Sequence, residues 1–87
     1  MKVLGKNLFG GFSGKEALLR LKMLNLQEGE YICAGYNSLR VSHCIAIQVV
    51  KGDKFVYDET IHGEAIGACD LTWVYGVSFL RRVELYR

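Results

Sequence analysis

Only one stretch of this chain carries helical periodicity, and nearly everything after it alternates. Between Ser13 and Asn25 the apolar residues Ala17, Leu18, Leu21 and Leu24 recur at three- and four-residue spacing and form a single stripe. From Tyr31 onward apolar residues recur mostly at every second position, the period of a β-strand. The chain has 87 residues, which suits one domain spanning 1–87, and a chain this short needs an efficient core. One helix with an apolar stripe and several strands have a simple solution: the helix lies on one face of a sheet. The sequence therefore predicts an α+β fold, with one N-terminal amphipathic helix packed on a curled antiparallel sheet of about four strands.

The boundaries follow from local chemistry. Residues 1–12 read as an irregular lead-in with a short strand at most, because Gly5, Gly10 and Gly11 interrupt it. Ser13-Gly14-Lys15-Glu16 fits a capping box, in which the serine hydroxyl accepts a first-turn N–H and the glutamate returns to the serine N–H. Asn25 suits a left-handed helix terminator. Strands are expected over 31–36, 40–50 and 54–58, with a loop over 60–70. In the second of these Val41, His43, Ile45, Ile47 and Val49 share one face. The other face is mostly small or apolar as well, which suggests a central strand. In a long final strand Leu71, Trp73, Tyr75, Val77, Phe79, Val83 and Leu85 share one parity, interrupted by Arg81, and Gly76 reads as a bulge. The absence of proline leaves every strand able to donate along its ladder.

Composition weighs against several function classes. A net charge of +2, with Arg81, Arg82 and Arg87 at one end and Lys2 and Lys6 at the other, lacks the dense basic stripe of a nucleic-acid binder. No apolar run reaches the roughly 18 residues of a membrane span. Cys33, Cys44 and Cys69 are odd in number and have no CxxC spacing, which suggests reduced thiols in a cytoplasmic protein. His43, His62 and a cysteine lack recognisable metal-ligand spacing, so no metal or other cofactor is expected. Gly10-Gly11-Phe12-Ser13-Gly14 lacks the lysine and spacing of a phosphate-binding loop.

The segment Ser42-His43-Cys44-Ile45-Ala46-Ile47, the turn Lys51-Gly52-Asp53, the strand Phe55-Val56-Tyr57-Asp58 and the later Trp73-Val74-Tyr75-Gly76-Val77-Ser78-Phe79-Leu80 resemble the second half of a papain-like cysteine peptidase domain. The flavour is that of bacteriocin-processing peptidases and of small papain-fold proteins of phages and toxins. Gly29-Glu30-Tyr31-Ile32 fits the strand leading to the histidine, so the resemblance covers roughly residues 29–80. It implies His43 as general base and Asp58 as the group that orients it. It also implies a nucleophilic cysteine at the start of a helix, where the helix dipole favours a thiolate. That position holds Ser13, which the capping box already accounts for as N-cap and which is a nucleophile only in the alternative reading. Cys44 neighbours His43 in sequence, but adjacent strand residues point to opposite faces.

The hairpin register bears on the pair. A two-residue Lys51-Gly52 turn pairs Val50 with Asp53 and sets His43 and Asp58 on one face, diagonal neighbours about 7–8 Å apart. A three-residue turn pairs Val49 with Phe55, matches the apolar residues better, and separates the two. Both registers stay open from sequence.

Without a cysteine at the helix start, the sequence suggests a non-catalytic protein-binding module, such as a small phage-type inhibitor that occupies a host protein's surface. A papain-like hydrolase acting on a peptide or isopeptide through His43, Asp58 and Ser13 is the alternative. Trp73, Tyr75, Tyr36, Arg81 and Arg82 are the candidate partner-binding residues, since aromatics and arginines dominate interface energetics. Plain core packing competes for the aromatics. An exposed edge strand would also permit homodimerisation.

Overall fold

A computed structural model describes residues 2–4, 12–69, 71 and 74–84. The chain is mostly β. Short strands β1 (Lys2–Leu4) and β2 (Phe12–Ser13) precede helix α1 (Gly14–Met23), and strands β3 (Gly29–Tyr36), β4 (Ser42–Val50), β5 (Asp53–Tyr57), β6 (His62–Ala65) and β7 (Gly76–Glu84) follow. A 3-10 turn, Ile66–Ala68, comes after β6. All strand pairs are antiparallel, in the order β1-β7-β3-β4-β5-β6, with β2 also on β7. Five longer strands replace the expected four, because the segment expected to be a loop contains β6. The expected curl is absent. The end strands β1 and β6 have three and four residues, too short to wrap round and meet, and the sheet stays open.

The helix places Ala17 and Leu21 in the core, with Leu24 packed at its edge, as the stripe predicts; the Leu18 side chain lies outside the described residues. Tyr31, Cys33, Ile45, Ile47, Val49, Val56 and Leu80 meet them from the sheet, and Ile66, Leu71, Val74 and Val77 complete the cluster. The strand over 42–50 is central, as expected, but only its odd-numbered face is buried: Cys44, Ala46 and Val50 are exposed. Glu16 accepts from Arg20 Nε at 2.8 Å. The Ser13 side chain lies outside the described residues. Asn25 is not in the left-handed region; among described non-glycine residues only Arg40 and Lys51 have positive φ. The last turn of α1 is held instead by Lys54, whose Nζ donates to the Lys22 carbonyl at 3.1 Å.

The final strand departs from its expected single parity. Ala34 pairs with Phe79 but Gly35 pairs with Val77, leaving Ser78 as the extra residue of a bulge. Val77 and Leu80 therefore both enter the core, while Phe79 and Arg81 fall on the opposite face. Gly76 is not the bulge. A Cβ there would collide with the Tyr36 ring, so the glycine is needed for close approach.

Candidate functional site

The β4–β5 hairpin decides what His43 can do. Val50 pairs with Asp53, Ile47 with Val56 and Ala46 with Tyr57, the register of a two-residue turn. Lys51 has φ 52° and Gly52 φ 84°, the double positive φ of a type I′ turn, whose twist matches that of the strands it joins. The turn geometry prevails over the alternative apolar matching, and the register sets His43 and Asp58 on one face. His43 Nε2 and Asp58 Oδ1 are 2.7 Å apart.

Asp58 is well held. Its Oδ1 also accepts from the Glu59 N–H at 2.8 Å, and its own N–H donates to the Ile61 carbonyl at 2.8 Å. Partial burial pushes the carboxyl up, but the Glu59 N–H, the His43 hydrogen bond and the imidazole charge outweigh it. The net effect holds the carboxyl below its ordinary range. An ionised Asp58 fixes the direction of the bond: His43 Nε2–H donates. The His43 side chain is 39% exposed and that of Asp58 15%, so the pair sits at the surface edge of the core.

The nucleophile candidates are less favourably placed. Ser13 pairs with Gly76, Gly76 with Tyr36, and Tyr36 with Ser42. Two strands thus separate Ser13 from the strand bearing His43, a backbone separation of about 14 Å at ordinary strand spacing. Cys44 is exposed on the opposite face. Cys33 shares the face of His43 but is buried, and burial, with the neighbouring Cys44, pushes its thiol up to about 12. Cys69 lies within hydrogen-bonding reach of the Ala65 carbonyl, its Sγ 3.3 Å away, and partial burial and the Glu64 charge raise its pKa against Lys22. Neither of these two is poised as a thiolate. His62, at the start of β6, pairs with Tyr57 of β5, and among the described residues no cluster of three His, Cys, Asp or Glu is arranged to hold a metal.

The candidate partner-binding residues divide. Tyr36 and Tyr75 come together, ring centres 6.3 Å apart, with Tyr75 N–H donating to the Tyr36 carbonyl at 2.8 Å. Tyr75 is 49% exposed, so it is not the core-facing aromatic that parity suggests; it lies before β7 begins, outside the strand's alternation. Arg81 is exposed, with its guanidinium 5.3 Å from the Phe79 ring centre. Arg82 is tied down, Nη2 donating to the Glu28 carbonyl at 2.9 Å and Nη1 to Gln27 Oε1 at 3.2 Å. It fastens the connection between α1 and β3. Trp73 lies outside the described residues.

Sequence reasoning missed the sheet face opposite the helix. Glu30, Ile32, Cys44, Ala46, Gln48, Tyr57 and Val83 line a cleft of about 560 Å³ there. Its signal was in the sequence: small and apolar residues at the even positions of β4, which suggested a covered face. No family model, curated protein or solved structure matches the chain. Among the described residues no helix is long and apolar enough to cross a membrane.

Proposed function

We propose that the chain is a non-catalytic protein-binding module that occupies a partner protein's surface, in the manner of small phage-type inhibitors. The observation that carries this reading is the cleft on the sheet face away from α1. A mostly apolar face of this kind marks an interaction site more often than a bare surface. The positions of the three cysteines support the same reading. Free thiols at Cys33, Cys44 and Cys69 suit a reducing, cytoplasmic setting. Homodimerisation through an edge is the competing geometry. At the β6 edge a register shift accompanies Gly63 (φ 80°), and Glu64 is exposed, both features that blunt edge pairing. Ala46→Arg, which fills the cleft, is expected to abolish stoichiometric capture of one protein from a host lysate, whereas Lys51→Glu at the hairpin tip retains it. A strictly monomeric chain that captures nothing removes this reading.

The 2.7 Å His43–Asp58 contact favours a second reading, a papain-like hydrolase of peptide or isopeptide bonds. His43 is its base, Asp58 orients the imidazole, and Ser13 or a displaced cysteine is its nucleophile. Activity-based probes for serine and cysteine hydrolases test it: labelling that His43→Ala abolishes supports it, and the absence of such labelling discards it.

A further inference from the structure

The β3–β4 connection, residues 37–41, displays its apolar side chains rather than hiding them. Leu39 is 82% exposed and Val41 60%. A single exposed leucine is ordinary on a protein surface, but this one stands on a loop locked in shape. Asn37 Oδ1 accepts from the N–H groups of both Leu39, at 2.9 Å, and Val41, at 3.1 Å. The Arg40 N–H donates to the Asn37 carbonyl at 2.9 Å, and the Asn37 N–H to the Val41 carbonyl at 3.1 Å. Arg40 takes φ 63°, a conformation that disfavours any side chain other than glycine, asparagine or aspartate. Its guanidinium has no acidic partner among the described residues. The local fold thus holds a strained backbone while presenting one apolar tip beside one unneutralised cation. Strained, preorganised segments of this kind cluster where ligands are gripped.

We infer that this loop is a preformed finger that inserts Leu39 into an apolar pocket of a partner protein, with Arg40 meeting a carboxylate on the pocket's rim. The inference rests on the protein-binding reading and names its anchor. A convex tip fits a concave pocket, and a lone arginine beside it calls for an acidic rim.

The test places the photo-crosslinking residue p-benzoylphenylalanine singly at positions 39, 46 and 51 of the full chain, in a lysate of the source cells. The expected result is one crosslinked protein from position 39 and none from position 51. In titrations of that protein, once purified, Leu39→Ala is expected to weaken binding about 30-fold. Arg40→Gly is expected to weaken binding while raising the melting temperature, which a merely structural arginine would not do. Crosslinking from position 46 but not 39 overturns the finger and leaves the sheet-face reading standing. Crosslinking from neither overturns both. A crosslink from position 39 to a second copy of the chain also overturns the finger, as does binding to phosphatidylserine vesicles that Leu39→Ala abolishes.

Discussion

Asp58 is held below the ordinary carboxylate range by two donors that the fold fixes on its carboxylate, the Glu59 N–H and His43. Because the folded carboxyl ionises more readily than the unfolded one, its contribution to stability is present above the ordinary carboxylate range. It is lost as pH falls through the lower folded value. Asp58→Asn is therefore expected to flatten the acid limb of stability against pH, measured by urea denaturation at a series of pH values. An unchanged acid limb would show that the pair contributes nothing to folding. Gly76 makes a complementary case. Gly76→Ala drives a methyl into the Tyr36 ring and is expected to cost about 1–3 kcal/mol, the usual range for overpacking. The loss is expected to shrink in a Tyr36→Ala background, as a double-mutant cycle reads directly. Gly76 was legible as a special position in the sequence. Its reason was not, because Tyr36 is distant in the chain and the register that joins them is set by a bulge at Ser78.

At the scale of elements, α1 and the β4–β5 hairpin were legible because their signals are local: a four-residue apolar stripe, and a Lys-Gly turn between alternating runs. What ends α1 was not, since the group that caps it comes from β5. Lys54 is buried, and burial lowers its pKa, yet its Nζ reaches the carbonyl end of the helix, where a cation is favoured. Lys54→Ala removes both stem packing and the carbonyl's partner and is expected to cost about 1–3 kcal/mol. Lys54→Met keeps the stem and is expected to cost less. Chemical denaturation of the two variants separates the contributions. In the hairpin, Lys51 holds a positive φ better suited to asparagine. Its backbone N–H, which donates to Glu28 Oε1 at 2.9 Å, survives substitution. Lys51→Asn is accordingly expected to raise stability by up to about 1 kcal/mol.

Among the described residues there is one core, on the helix side of the sheet, and the other face carries the open cleft. Strand positions were legible from alternation, but which face is covered depends on how many layers the chain can supply. One ten-residue helix supplies one layer. The central Ile47, fully buried, anchors that layer, and Ile47→Ala is expected to cost about 2–5 kcal/mol, a large part of a small domain's stability. Under the proposed binding role the division is equally sharp: one face folds, the other is to meet a partner, and His43 takes no part in catalysis. Intact-mass spectrometry after treatment with serine- and cysteine-directed activity probes, on wild type and His43→Ala in parallel, tests that division most directly. The account predicts that any labelling, such as slow alkylation of the exposed Cys44, is the same in both. Rapid single-site labelling of wild type at Ser13 or a cysteine, lost in His43→Ala, would contradict it.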